Sequence, residues 1–394
     1  MKRFLPLAII LVMLATACGG DEGPSREDPL TFKVSLDPAV KGRNVSFLTF
    51  LPNEISARQG DKVEFTLDKY NGEPHAVALG KLVDEGIESL RKLGPTAPAA
   101  RQEEALSKLP DPFPHQPPPD APRKMNQSGA RPCFLASGDP PNDLAGGAPA
   151  CNETDQPDFT GEQSFYSGGL LADDGMHFDV NIAADAKPGN YTFMCLVHRG
   201  SMTGALTVLE RSRGVLEPDK DVERGRTQAA ELTEEVTRAV DKAKGAGPEA
   251  VSAGVGTADG RAQALEFVPR EVTVASGGTV TWNVTGFHTV SFGLSEEDLG
   301  PFTKDDKGNF ELNRKLRPVN SPPLPPEYQS FPPTTDKPLA LDGGRFIGVG
   351  LKNSGVLGSL PPALISYKVT FAQPGTYTVF CQVHPAMTGT VRVT

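Results

Sequence analysis

The feature that most constrains the fold is an internal repeat. Residues 50–65 (FLPNEISARQGDKVEF) align without a gap on residues 267–282 (FVPREVTVASGGTVTW). A second block, 187–198 (KPGNYTFMCLVH), aligns on 373–384 (QPGTYTVFCQVH), and a Met-Thr-Gly sequence follows each copy. Because both blocks recur in the same order, we expect the chain to contain one structural module twice.

The repeated blocks have the alternation of β-strands. Residues 54–57 and 271–274 alternate apolar with polar side chains, and residues 62–67 and 279–284 alternate again after a glycine-containing turn. In the second block Pro-Gly predicts a turn, and Tyr-x-Phe/Val-x-Cys predicts a strand that delivers its cysteine to one face. The 41 glycines and 37 prolines also disfavour an all-helical protein. The sequence therefore predicts an all-β fold.

Each module contains the four side chains that a type 1 copper centre requires. Such a centre takes one thiolate and two imidazoles in a near-trigonal plane with a weak thioether above it. The first set is His75, Cys195, His198 and Met202, and the second is His288, Cys381, His384 and Met387. A lone Cys, His or Met is usually a packing residue. All four types recur here in order in two copies, and four of the six histidines fall at these positions, so we predict two copper ions per chain.

This pattern resembles the cupredoxin family of blue-copper proteins, which includes plastocyanin, azurin and amicyanin. The resemblance covers the strand blocks around 31–79, 164–209, 251–292 and 364–394, and not the insertions between them. It implies a Greek-key β-sandwich for each copy, so we expect two in tandem, and the sequence adds long irregular insertions and a short helical linker. The second site is most similar to amicyanin, because Met387 follows His384 by three residues, whereas Met202 lies one residue further from its histidine.

The sites depart from the family at the residue after the early histidine. Cupredoxins commonly have an asparagine there that ties the ligand loops together, but this chain has Ala76 and Thr289. Thr289 can still donate one hydrogen bond, whereas Ala76 has no side-chain donor. Because groups around the ligands set their rigidity and the potential, we expect the two centres to have different reduction potentials.

The repeat and the segments between its blocks predict the domain organisation. The expected segments are a signal peptide at 1–17, a flexible tether at 18–30, a first cupredoxin domain at 31–210 with an insertion at about 80–163, a helical linker at 211–250, and a second domain at 251–394 with an insertion at about 293–345. Val83, Ile87 and Leu90 have helical spacing in the first insertion. The proline-rich stretches at 110–123 and 318–338 are not expected to form strands. The insertions are lids, docking surfaces or surface padding.

The linker contains a helical apolar stripe that ends before Gly245. Its members are Ala229, Leu232, Val236, Ala239, Val240 and Ala243. This spacing predicts a helix packed along a domain. A coiled coil for oligomerisation is the alternative, although the stripe spans fewer than three heptads.

The donor set favours electron transfer over catalysis. A copper ion with four protein ligands has no open position for substrate, so we predict no catalytic residues. The competing hypothesis is a two-domain copper oxidase or nitrite reductase. Those enzymes need further His-rich sites, but Met194 and Phe380 precede the ligand cysteines and only His115 and His177 remain. Copper storage or delivery is a third possibility, and it predicts clustered methionines that the sequence lacks.

The N-terminus predicts export. Lys2 and Arg3 precede an apolar run at 4–17 that has the length of a signal-peptide core. The sequence LATAC at 14–18 resembles a bacterial lipobox, which would make Cys18 a lipidated anchor on the extracytoplasmic side of the membrane. Ala-Thr-Ala at 15–17 also fits ordinary secretory cleavage, so both outcomes stay open.

The remaining two cysteines predict a disulfide, and the net charge limits the classes of binding partner. Cys133 and Cys151 are left over as a pair, and in an oxidising compartment we expect them to form a disulfide, with two unpaired thiols as the alternative. The formal charge of −10 and the absence of a basic block argue against nucleic acid. Redox proteins are the expected partners, and the oligomeric state stays open.

Overall fold

The computed structural model describes residues 28–94, 97–112, 125–130, 157–244, 249–304, 310–329, 335–359 and 364–394. Cys18, Cys133, Cys151 and His115 lie outside these residues, as do the predicted signal peptide and most of the tether. None of the helices among the described residues is both long and apolar enough to cross a membrane.

The N-terminal half contains two sheets. Its elements are β1 (Thr31–Leu36), β2 (Val45–Phe47), β3 (Glu54–Arg58), β4 (Lys62–Leu67), β5 (Val77–Leu79), α1 (Lys81–Leu93), α2 (Ala99–Ala105), α3 (Gln127–Ala130), β6 (Tyr166–Ser167), β7 (His177–Asn181), β8 (Gly189–Cys195), β9 (Arg199–Leu209) and α4 (Pro218–Ala243). One sheet has the order β1-β4-β7 and the other has the order β3-β9-β8-β5-β6. The two sheets enclose one apolar core, so this half is a β-sandwich.

The C-terminal half repeats the arrangement with larger sheets. Its strands are β10 (Ala250–Gly256), β11 (Ala262–Val268), β12 (Glu271–Val274), β13 (Thr279–Val284), β14 (Gly286–His288), β15 (Ser291–Phe292), β16 (Phe302–Lys304), β17 (Phe310–Leu312), β18 (Pro318–Val319), β19 (Leu339–Phe346), β20 (Lys352–Ser354), β21 (Leu357–Ser359), β22 (Ile365–Phe371), β23 (Gly375–Phe380) and β24 (Thr388–Val393). The sheets have the orders β19-β22-β13-β10-β11-β2 and β12-β24-β23-β15-β20-β18. Strand pairs β14-β21 and β16-β17 stand apart, and 3₁₀ turns cover Glu296–Asp298 and Pro326–Tyr328.

The repeat seen in the sequence is a repeat in space. Strands β3 and β4 correspond to β12 and β13, and in each strand the alternate residues are buried, as the sequence predicts. Aligned residues Phe65 and Trp282 are both fully buried in their cores. The turns between these strands use Gly60 and Gly277, and both have φ of 84°. Glycine suits these turns because it has no Cβ to oppose a left-handed backbone.

Helix α4 joins the halves more closely than a surface linker would. Its stripe of Leu232, Val236 and Val240 is buried, as the spacing predicts. These side chains pack with Phe47 and Val268, which come from the two halves of the chain. Strand β2 also pairs antiparallel with β11 and so extends a sheet of the C-terminal sandwich. The modules therefore share an apolar cluster around α4, in addition to the separate core of each sandwich.

One proline-rich stretch differs from its expectation. Pro318 begins β18, which pairs with β20 at Ser354, although we expected no strand between 318 and 338. Strand β18 is the edge of its sheet, and proline is tolerated at the first residue of an edge strand because no ladder donor is needed there. The first insertion contains the predicted helix, with Val83 buried on its inner face.

Candidate metal centres

The first group forms where three segments meet. Cys195 ends β8, His198 lies in the tight loop that follows, and Met202 lies on β9. His75 lies two residues before β5, whose Val77 pairs with Cys195, and its backbone exchanges hydrogen bonds of 3.1 and 2.7 Å with Leu171. The Cys195 Sγ atom is 3.8 Å from Nδ1 of His75 and 3.4 Å from Nδ1 of His198. Met202 is fully buried in the same apolar cluster as Cys195.

The second group repeats this geometry closely. The Cys381 Sγ atom is 3.7 Å from Nδ1 of His288 and 3.4 Å from Nδ1 of His384, and the two Nδ1 atoms are 3.1 Å apart. Met387 closes the loop, because its N–H donates to the His384 carbonyl and its carbonyl accepts from Cys381 N–H, both at 2.9 Å. Met387 and Cys381 lie in one buried cluster.

The extra residue in the first loop is accommodated by an irregularity in the pairing of β8 with β9. The pairing of β8 with β9 shifts register between Met194 and Cys195, and Arg199 takes a left-handed backbone with φ of 54°. The additional residue is absorbed at this irregularity, so Met202 still reaches the buried cluster of Cys195. The Arg199 guanidinium donates to the Leu106 carbonyl at 3.0 Å, which ties the loop to the insertion.

The residue that follows each early histidine connects the ligand loops in both sites, through the backbone of Ala76 in the first and the side chain of Thr289 in the second. The N–H groups of Ala76 and Thr289 each lie 3.4 Å from the thiol sulfur of their site. In the second site Thr289 Oγ1 accepts the Gln382 N–H at 2.7 Å, whereas in the first the Ala76 carbonyl accepts the Leu196 N–H at 2.7 Å. Ala76 therefore makes the tie with its backbone, without a side-chain donor.

The metal-free electrostatics favour thiolates paired with imidazolium groups. Burial opposes ionisation of both thiols, but the charges of His198 and His384 hold the pKa values of Cys195 and Cys381 well below their usual range. Burial would likewise lower the pKa of His198 and His384, yet the thiolates raise each pKa to about 10. The thiolate is the form of cysteine that binds metal ions.

Outside the ligands, two carboxylates contact the imidazoles. Asp37 Oδ2 lies 2.9 Å from Nε2 of His75, and Glu73 Oε1 lies 2.7 Å from Nε2 of His384. The other Glu73 oxygen lies 3.5 Å from Nε2 of His198. His288 differs, because its Nε2 has no hydrogen-bond partner among the described residues. Each of these Nε2 atoms faces away from the thiolate, so Nδ1 is the atom left for a metal ion.

The donor set fits copper. A soft thiolate, two imidazole Nδ1 atoms and a buried thioether are the ligands of type 1 copper, and the thiol and imidazole donor atoms of each group lie within 4.8 Å of one another. Among the described residues no third group of His, Cys, Asp or Glu side chains converges in this way. His177 is exposed on β7 and belongs to neither group.

Sequence reasoning did not find Asp37, Glu73 or Gly254. Gly254 lies in a bulge of β10, and its φ of 77° together with its lack of a side chain leaves room for the His288 ring. Glu73 could have been noticed as a charged residue two positions before His75, because the second copy has Gly286 at the corresponding position before His288. Asp37 gave no signal, because it lies 38 residues from His75.

Comparisons with known proteins give matches among solved structures. No family model matches the chain, and no curated protein matches it. Reduced auracyanin from Roseiflexus castenholzii is 15% identical and covers 45% of this chain and 96% of its own, with a TM-score of 0.21. A purple cupredoxin from Nitrosopumilus maritimus is 16% identical and covers 37% of this chain and 98% of its own, with a TM-score of 0.19. Plastocyanin from Dryopteris crassirhizoma is 18% identical, and the match covers 45% of this chain and 99% of the plastocyanin, with a TM-score of 0.19.

The matched structures are cupredoxins, and this chain has two His-Cys-His groups typical of type 1 sites. The two-sheet sandwiches and the His-Cys-His groups of this chain agree with the cupredoxin fold that the sequence predicts. The predicted all-β architecture, with a helix between the two sandwiches, is confirmed by the elements of the chain itself.

Proposed function

We propose that the protein is an exported electron carrier with two type 1 copper centres. The observation that carries the proposal is the pair of buried His-Cys-His groups, each sharing a buried cluster with a methionine. Copper bound there would supply one-electron oxidation and reduction. A centre enclosed by four protein ligands has no open position for substrate, which favours a carrier over an enzyme.

The residues around the ligands support this role by limiting movement. His75 is held by Asp37 and by backbone bonds to Leu171, and the two cysteine sulfurs accept N–H groups from Ala76 and Thr289. A ligand set that is already in place changes little between two oxidation states. Such preorganisation favours rapid exchange of an electron, because little rearrangement accompanies it.

Metal analysis with visible and electron-paramagnetic spectroscopy tests the proposal. We expect two copper ions per chain, intense thiolate-to-copper absorption and no type 2 signal. Cys195→Ala and Cys381→Ala should each remove about half of the absorption, because each variant loses one thiolate. Full absorption in either variant would refute that site, and a third copper ion with turnover of nitrite or phenols would replace the carrier with an enzyme.

We also propose that Cys18 is lipidated and anchors the chain to the outer face of a bacterial membrane. The support is the charged start, the apolar run and the lipobox-like LATAC sequence at 14–18. The full-length protein should fractionate with membranes and incorporate a labelled fatty acid, whereas Cys18→Ser should do neither. A labelled Cys18→Ser protein, or an unlabelled parent protein, would refute lipidation and leave ordinary secretory cleavage.

A further inference from the structure

One carboxylate contacts a histidine of each metal centre. Glu73 belongs to the N-terminal half, two residues before His75, yet its Oε1 atom lies 2.7 Å from Nε2 of His384 in the C-terminal half. Its second oxygen lies 3.5 Å from Nε2 of His198. His198 and His384 are the loop histidines that follow the two cysteines. The two donor sets are therefore connected through three side chains.

Glu73 is held in this position from several sides. Its backbone N–H donates to Asn71 Oδ1 at 3.0 Å, and Asn71 in turn donates to the Val45 carbonyl at 3.2 Å. Gly72 packs so closely on the second loop that a Cβ there would lie 2.2 Å from the Val383 carbonyl oxygen. The Glu73 and His384 side chains are buried and His198 is 10% exposed, so water competes little for the carboxylate.

The chemistry of the contact matches what the ligands need. A histidine that binds a metal ion through Nδ1 keeps its proton on Nε2 and donates it to an acceptor, which fixes the tautomer and the ring orientation. A carboxylate offers two acceptor oxygens and no donor, so it can face two Nε2–H groups at once. Neutral side chains of similar size lack this capacity, since an amide has only one acceptor oxygen.

We propose that Glu73 is a shared positioning residue that orients one histidine ligand of each copper centre and adjusts both centres together. This inference rests on the proposed function, because it requires copper at both groups. Its negative charge favours the more highly charged Cu(II) over Cu(I) at each centre. Asp37 plays the same role for His75 alone, so it provides a matched control that contacts a single centre.

The experiment measures each centre separately in the full-length chain. Cys381→Ala leaves only the first donor set complete, and Cys195→Ala leaves only the second. Glu73→Gln, Asp37→Asn and Glu271→Gln are introduced into both backgrounds. Glu271 is 53% exposed, pairs with Arg392 and belongs to neither ligand group, so it controls for loss of a carboxylate alone. Competition with chromogenic Cu(I) and Cu(II) chelators gives affinities, and spectroelectrochemistry gives the potential.

Glu73→Gln should weaken Cu(II) binding about 10-fold or more in both backgrounds, with the larger loss at the second centre, where the contact is shorter. A tenfold preferential loss of Cu(II) binding raises the reduction potential by about 59 mV. Asp37→Asn should change only the first centre, and Glu271→Gln neither. In the metal-free protein, nitrogen resonances of His198 and His384 should both move in Glu73→Gln, which reports on positioning without copper.

The outcomes separate the two proposals. If either single-centre background lacks the blue absorption before any change at Glu73, the two-centre function fails. If both backgrounds are blue but Glu73→Gln alters one centre or neither, the shared role of Glu73 is overturned and the carrier proposal stands. Circular dichroism and thermal melting of the metal-free variants show whether the fold is intact. A folded Glu73→Gln protein with both centres changed supports the inference.

Discussion

Replacing Gly254 with alanine should damage the second centre and leave the first intact. Gly254 has a left-handed backbone with φ of 77°, and a Cβ built on it would lie 2.2 Å from Nε2 of His288 and 2.3 Å from the Thr285 carbonyl oxygen. Ordinary contacts begin at 3.4 Å, so the ring would have to retreat by 3.4 minus 2.2, or 1.2 Å. Metal sites tolerate deviations of only about 0.2 Å in ligand distance.

The expected size of the effect has two parts. An alanine in a left-handed conformation costs about 1–2 kcal/mol wherever it occurs. Displacement of His288 is the additional part, and loss of correct ligand orientation typically weakens metal binding about 10- to 100-fold. Gly260 separates the two, because it has a similar φ of 74° but no atom within 4 Å of the position that a Cβ would take. Gly260→Ala should lose stability without losing copper.

The assay is copper titration followed by visible absorption, with chemical denaturation of the metal-free proteins alongside. Gly254→Ala should bind copper at the second centre about 10- to 100-fold more weakly while the first centre keeps parental affinity, and in the Cys195→Ala background only the weakened centre should remain. Gly260→Ala should keep both centres. The reasoning is refuted if Gly254→Ala binds two copper ions with parental affinity, or if Gly260→Ala loses the second centre equally.

Further predictions concern the protonation of the loop histidines, the carboxylate of Asp37 and the apolar cluster that the two halves share around α4. Since the pKa of His198 and of His384 is raised to about 10, both histidines are protonated at pH 7 without metal. Each centre should therefore release at least one proton on binding copper, and copper binding should weaken as pH falls. Calorimetry in buffers of different ionisation enthalpy measures the released protons, and equal binding heats in all buffers would contradict the prediction. The first centre has the extra carboxylate of Asp37, so its potential should be the lower of the two, and a single redox transition for both would count against this. Phe65→Ala should lower the free energy of unfolding of the N-terminal sandwich by about 3–5 kcal/mol. Because the two sandwiches share the apolar cluster around α4, the urea midpoint followed by Trp282 fluorescence in the other sandwich should fall as well; an unchanged Trp282 midpoint would show that the halves unfold independently.

The sequence predicted the parts of the fold that local patterns specify. Strands β4 and β13 have the bounds that the alternation predicts, because one face of each is buried and the side-chain period of two is visible along the chain. The buried stripe of α4 was visible for the same reason. The His-Cys-His groups were predictable because three of the four ligands at each site lie within one short loop.

Contacts between distant segments could not be predicted in this way. The pairing of β2 with β11 joins residues more than 200 positions apart, and no periodicity in either strand identifies its partner. Asp37 and Gly254 act on histidines through space, and their roles depend on backbone conformations with positive φ that aspartate and glycine adopt for many reasons.

The duplicated ligand sets differ most in what surrounds their histidines. His75 has the carboxylate of Asp37, whereas the corresponding nitrogen of His288 faces the bare backbone of Gly254. The two modules therefore have the same candidate ligands, but different residues surround them, so each early histidine can be adjusted independently. The loop histidines are different, because both contact Glu73 and a change to that one side chain reaches both centres. Independent adjustment of the two centres is thus available at Asp37 and Gly254, whereas any change at Glu73 must be acceptable to both.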